Sequence, residues 1–289
     1  MTNPRSKIHS HLTPDRRRQR DFFIADFLDV AHKDDIASME HPVFALKAGD
    51  HRVRAYERNG TSIIVKPGSD GLATIHDKDV WIFCISQLVE AINRGCEDTS
   101  RTVHFTAHNF LVTTNRGTSG RSYERLGNAL SRLRSTTIET NITTDGMRER
   151  RGFGLVDAWR VVEHGPEDRM VAIEVTLPDW LYRSVQAMEV LTISPDYFRI
   201  RKPLDRRIYE LARKHCGKQR HWKVSLTVLL QKSGSTTTLR EFRKAVRSLV
   251  ASNELPDYRL AFDTKSDMVS MYRRRTDGRI KELTDLLRR

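Results

Sequence analysis

Apolar residues along this chain follow two rhythms, one of period two and one of period three to four. Short apolar and β-branched stretches cut by Gly49-Asp50 and Asn59-Gly60 predict strands over 43–47, 52–57 and 62–66. The Asn-Gly pair is a strong hairpin turn signal. Val80, Trp81, Cys84, Leu88 and Ile92 then fall on one face of a helix predicted over 77–93, capped by Asp77 and closed by Gly95. A very short strand at 103–105, a short helix from 106 to 113, a turn at 115–120 and a longer helix over 120–134 follow. The β pattern resumes over 136–143, 153–162 and 170–176, with a turn at Asp145-Gly146, and Pro178 opens another short helix. Helix, helix, helix and β-hairpin is the order of a winged helix.

The scheme repeats in compact form after Pro203, which marks the boundary of a second unit. Helices are predicted over 204–216, 227–232 and 239–252, a short strand over 222–225, and a hairpin of 258–262 and 268–273 around Thr264-Lys265-Ser266. The expected fold class is therefore α+β, with two tandem winged-helix domains, the first carrying extra strands. We divide the chain into an arm and short helix (1–36), a first domain (37–195) and a second (196–289). The arm is polar and ends in Arg16-Arg17-Arg18-Gln19-Arg20; residues 21–30, with apolar positions 23, 24, 27, 28 and 30, suit a short helix or an interaction segment.

Composition adds a partner. Lys and Arg number 50 against 37 Asp and Glu, a formal charge of +13 over 289 residues. Such an imbalance favours a polyanion, because each neutralised phosphate releases a condensed counterion. No apolar run approaches the roughly 20 residues of a membrane span, and the first residues lack the apolar core of a signal peptide, so a cytoplasmic protein with no membrane partner is expected. Three cysteines without close spacing make neither a disulfide scaffold nor a zinc site.

The charge concentrates on two helices. Tyr123, Leu126, Leu130 and Leu133 form an apolar stripe at i, i+3, i+7 and i+10, and Arg121, Arg125, Asn128 and Arg132 form a polar one beside it. In the second unit Leu239, Phe242, Val246 and Leu249 repeat the apolar spacing, and Arg240, Arg243, Lys244 and Arg247 supply the basic stripe. Each helix carries a single acid, Glu124 or Glu241, whereas an ordinary solvated face mixes both signs. Arginine's planar fork matches the O6 and N7 acceptors of guanine, Asn pairs with adenine, and further cations suit phosphates. Arg116 in the preceding turn and Ser122 complete the first candidate site. Arg148, Arg150 and Arg151 lie near a hairpin turn where a wing would meet the duplex. The stretch 203–223 is also basic through Arg206, Arg207, Arg213, Lys214, Lys218 and Arg220, and part of it is expected to face the DNA backbone.

Catalytic signatures are missing. No His-apolar-His suggests a nickase, and neither phosphate-loop nor dinucleotide fingerprints occur; Gly152-Phe-Gly154 lacks the third glycine. His104 and His108 stand four apart, but a strand-to-helix change is expected between them and no third ligand accompanies them. A non-enzyme without metal or cofactor is expected.

Several stretches resemble the replication initiator protein A family of plasmid Rep proteins: Ala37-Ser-Met-Glu-His-Pro-Val-Phe-Ala-Leu46, Gly71-Leu-Ala-Thr-Ile-His-Asp-Lys-Asp79, Ser100-Arg-Thr-Val103, Tyr123-Glu-Arg-Leu126, Thr140-Asn-Ile-Thr143, Glu174-Val-Thr-Leu-Pro-Asp-Trp-Leu181, Asp196 through Leu204, Tyr209 through Gly217, and Arg240-Glu-Phe-Arg243. The resemblance implies an initiator that binds repeated double-stranded sites (iterons) at a plasmid origin, helps open it, and recruits the host replication initiator and replicative helicase. It also implies exchange between monomer and homodimer, with strands near 43–66 or 153–176 at the dimer interface. A winged-helix transcriptional regulator is the alternative that charge and periodicity leave open.

Overall fold

The computed structural model describes residues 23–24, 30–58, 61–96, 99–141, 143–144, 147–148, 151–164, 169–217, 219 and 221–274. The chain opens with β1 (Phe23–Ile24), β2 (Lys33–Asp35), α1 (Ile36–Glu40), β3 (Arg54–Arg58) and β4 (Thr61–Lys66). Residues 23–24 are thus strand rather than helix, paired in parallel with 103–104; residues 25–29 lie outside the described residues. The strand expected over 43–47 is replaced by a single bridge between Ala45 and Thr74. Val43, Phe44 and Ala45 are buried consecutively, without the in-out alternation of a strand with one solvent-facing side.

Helix α2 (Asp79–Asn93) is the axis of the molecule, buried from Asp79 through Val89. A helix that is apolar all round must be covered on every side, and this one is. Val80, Trp81, Phe83, Cys84, Ile85, Leu88 and Val89 enter the first hydrophobic core, while Ile82 enters the second. The helix starts two residues after the expected Asp77 and ends in a Schellman turn, in which Gly95 (φ +70°) donates to the Ile92 carbonyl and Cys96 to that of Ala91, both at 3.0 Å.

Around α2 stand β5 (Thr102–Thr106), α3 (Ala107–Thr113), α4 (Gly120–Ser135), β6 (Thr137–Thr140), β7 (Thr143–Thr144), β8 (Met147–Arg148), β9 (Arg151–Gly154), β10 (Ala158–His164), β11 (Arg169–Thr176), α5 (Asp179–Gln186) and β12 (Val190–Thr192). The single strand expected over 153–162 is two strands in two sheets. Between them Leu155 and Val156 plunge into the core, their N–H groups donating to the Leu133 carbonyl, and the Trp81 indole N–H donates to the Leu155 carbonyl at 2.8 Å. One sheet therefore runs β3-β4-β6-β9 and the other β1-β5-β11-β10.

The second unit comprises a 3-10 turn (Pro195–Arg199), α6 (Pro203–His215), β13 (His221–Ser225), α7 (Leu226–Ser233), α8 (Leu239–Ser252), β14 (Tyr258–Asp263) and β15 (Met268–Arg273). Its sheet order, β13-β15-β14, repeats β5-β11-β10 of the first unit, antiparallel throughout. Both units are winged helices, and the first carries the β3-β4-β6-β9 sheet in addition, with β3 and β4 ahead of α2 and β6 and β9 between α4 and β10. Topology assigns the first wing to β10–β11, not to β8 or β9. Arg148 and Arg151 lie on β8 and β9, and Arg150 falls outside the described residues.

The two cores meet along a band of buried charge. Lys78, fully buried, sits 2.7 Å from Asp34 and 3.1 Å from Glu210. Glu210 also accepts from Tyr197 Oη (2.8 Å) and Arg207 (3.0 Å). The Arg207 guanidinium further donates to the carbonyls of Ser38 and Lys232. Arg206 reaches from α6 to Asp79 at 2.5 Å and lies over the Tyr197 ring. Arg206 and Arg207 are 2% and 3% exposed, so neither faces solvent as their basic stretch suggested. An Arg stays charged even this deep, so its burial is tolerated only because carboxylates and carbonyls surround it. Lys214 pairs with Glu40; Lys218 and Arg220 lie outside the described residues.

Candidate nucleic-acid interface

Helix α4 buries Leu126, Ala129, Leu130 and Leu133, with Tyr123 packed at the edge of the core. That docking turns Arg121, Arg125 and Asn128 outward, and all three are exposed. Ser122 is half-buried and faces back across the first turn, its Oγ 3.4 Å from that of Ser119. Arg132 is not part of the open face. Its Nε and Nη2 donate to the two carboxylate oxygens of Asp77, both at 2.8 Å, and this pairing raises its pKa. Arg116 is likewise committed, donating through Nη2 to the His76 carbonyl at 2.6 Å and to Asp79 at 2.7 Å, with its guanidinium over the Phe110 ring. Asp79 thus bridges Arg116 of the first unit and Arg206 of the second. Burial, then the charge of Arg206, pushes the His76 imidazole down to about 4.

Helix α8 buries Phe242, Val246 and Leu249 and exposes Arg240, Lys244 and Arg247. Its lone acid has a structural task. Thr238 Oγ1 accepts from the Glu241 N–H, and the Glu241 carboxylate accepts from the Thr238 N–H, a reciprocal capping box that holds the Glu241 pKa below its usual value. Between α8 and the β14–β15 turn lies a cleft of about 950 Å³ lined by Arg240, Glu241, Arg243, Lys244, Arg247 and residues Thr264 to Asp267. Arg247 lies over the Phe262 ring, 5.7 Å from its centroid. Arg243 is half-buried and joined to Asp267 of the wing, Nε to Oδ1 at 3.1 Å and Nη2 to Oδ2 at 2.5 Å. The pair raises the arginine's pKa and lowers the carboxylate's. Lys265, exposed at the wing turn, is a cation that the helix-by-helix sequence reading left out; its position in a turn between two strands was the available signal.

His104 lies on β5, 3.4 Å from Glu174, and His108 is exposed on α3, so they do not converge. Among the described residues no cluster of three metal-ligating side chains occurs, and no helix is long and apolar enough to cross a membrane.

The fold and the two outward basic helices define a tandem winged-helix protein whose first unit carries an additional sheet. The chain belongs to the replication initiator protein A family, whose model matches residues 33–260. A protein of Wigglesworthia glossinidia brevipalpis, provisionally described as a replication protein, is 44% identical over 261 residues, covering 89% of this chain and 95% of its own. Two crystal structures of domains 2 and 3 of RctB superpose with TM-scores of 0.58 and 0.57 at 10% identity, covering 81% and 82% of this chain and 94% and 96% of theirs. At that identity the superposition speaks to the fold alone.

Proposed function

We propose that this chain starts plasmid replication by binding repeated double-stranded sites at the origin, with α4 and α8 each entering a major groove. The observation that carries this reading is the repeated placement of an outward basic helix on two units of one topology, joined through buried ion pairs. Arg121, Arg125 and Asn128 are the base and phosphate contacts of the first unit, and Arg240, Arg243, Lys244 and Arg247 those of the second. Arg116 and Arg132 act by holding α4 against the start of α2. Opening of the origin, recruitment of the host initiator and helicase, and exchange with a homodimer belong to the same reading, as does a non-enzymatic role in the cytoplasm.

Footprinting on a duplex selected from a random pool should show two major-groove contacts per repeat; protection of one alone counts against two readers. A plasmid carrying only the origin should replicate when the protein is supplied in trans. Failure of that assay in suitable hosts, with two-site binding intact, would favour a transcriptional regulator.

A further inference from the structure

Arg243 differs from the other cations of its helix in what holds it. Its neighbours Arg240 and Lys244 are exposed, whereas Arg243 is gripped side-on by Asp267, through Nε and Nη2. A guanidinium carries five N–H donors in a fixed fork. The side-on pair uses two of them and leaves the end edge, one N–H from each terminal nitrogen, unengaged by Asp267. That end edge is the one that matches O6 and N7 of guanine.

The partner is well placed to orient rather than to neutralise. Asp267 is the last residue of the wing turn, in the left-handed region at φ +52°. Its carbonyl accepts from the Leu226 N–H at 2.8 Å, anchoring the turn to the start of α7. The carboxylate is thus tied to the scaffold while facing a cleft that Arg240, Lys244, Arg247 and Lys265 line together with Glu241, itself engaged in capping α8. A carboxylate there weakens attraction for phosphate, so charge alone would argue against it. Fixing one arginine's plane is the gain that offsets this.

We propose that Asp267 is a specificity-determining residue of the second unit, holding Arg243 so that its end edge reads a guanine while the surrounding cations bind phosphate. The proposal rests on the DNA-binding reading above. The two units are not interchangeable in this respect. Superposing the stripes Tyr123, Leu126, Leu130, Leu133 and Leu239, Phe242, Val246, Leu249 places Gly127 where Arg243 stands. The side-on device therefore belongs to the second unit, and the first reads through Arg125 and Asn128.

The test uses the full chain, a duplex selected by the wild type from a random pool, and an unrelated duplex of equal length, each titrated over a salt series. Asp267→Asn suits the left-handed backbone, keeps the side chain's size and removes its charge. It should weaken binding to the selected duplex roughly tenfold while binding to the unrelated duplex stays level or tightens. Arg243→Lys should lose selectivity with the charge kept, and in an Arg243→Ala background Asp267→Asn should cause no further weakening on the selected duplex. Replacing the G·C pair under α8 should cost the wild type affinity and leave Asp267→Asn indifferent. If Asp267→Asn tightens both duplexes by one factor, or acts equally without Arg243, the carboxylate merely repels phosphate and the proposal is overturned. If selection with the wild type yields no preferred sequence, the origin-binding reading itself falls, and this proposal with it.

Discussion

Arg125 and Arg132 lie seven residues apart on α4 and belong to one sequence stripe, yet they are different kinds of residue. Arg125 is exposed; Arg132 is fixed to Asp77 by two hydrogen bonds of 2.8 Å. Replacing Arg125 by Ala should leave thermal stability within about 0.5 kcal/mol of wild type and weaken selected-duplex binding by about 1–3 kcal/mol. Arg132→Ala should destabilise the fold by roughly 1–3 kcal/mol, because it strands a buried carboxylate; chemical denaturation checks both. His76 supplies a pH effect. Its folded pKa is near 4 and its ordinary value 6.5, so between these limits the unfolded chain binds the extra proton. Stability contributed by the neutral imidazole is present above about 6.5 and is lost as pH falls toward 4. Between pH 6.5 and 4.5, wild-type stability should fall more steeply than that of His76→Gln in denaturant titrations.

At the scale of elements, two glycines give predictions of opposite sign. Gly234 closes α7 in the left-handed region at φ +67°, and a Cβ there would lie 2.7 Å from Pro42 Cβ. Gly234→Ala should cost about 1–3 kcal/mol. Gly127 is inside α4 with nothing within 4 Å of an added Cβ, so Gly127→Ala should stabilise by about 0.5–1 kcal/mol; melting curves of the two variants should move in opposite directions. The helices were legible because their signals are local. For α8, the Leu239, Phe242, Val246, Leu249 stripe lies within one stretch, and the predicted span matches Leu239–Ser252. The first unit's sheets were less legible. Leu155 and Val156 continue an apolar run in sequence, and only their burial beneath Trp81 shows that the chain changes sheets there. The same holds for the interface. The outward cations could be read from periodicity, but the partners of Arg116, Arg132 and Arg206 could not, since Asp79 and Arg206 are 127 residues apart.

For the molecule as a whole, the buried band means that the two outward basic helices are carried by one body. Asp79 is held from both sides, and Lys78 is enclosed by Asp34 of β2 and Glu210 of α6. Removing one member of such a cluster leaves a buried charge uncompensated, at a cost of about 3–5 kcal/mol. Hinging at this junction is opposed by the same penalty. Inserting a single base pair between the two contacted segments of a selected duplex turns and shifts one segment relative to the other, by about a tenth of a helical turn. Gel-shift affinity should drop sharply with that insertion, and unchanged affinity would mean that the units swing independently.

That shared body has a consequence for topology as well as for sequence. A protein that grips two points of a duplex at a set angle measures the winding between them, although it touches none of the intervening bases. Binding to one sequence should then differ between a relaxed circle and a negatively supercoiled one. On the proposed function, the torsional state of the plasmid becomes an input to the decision to replicate.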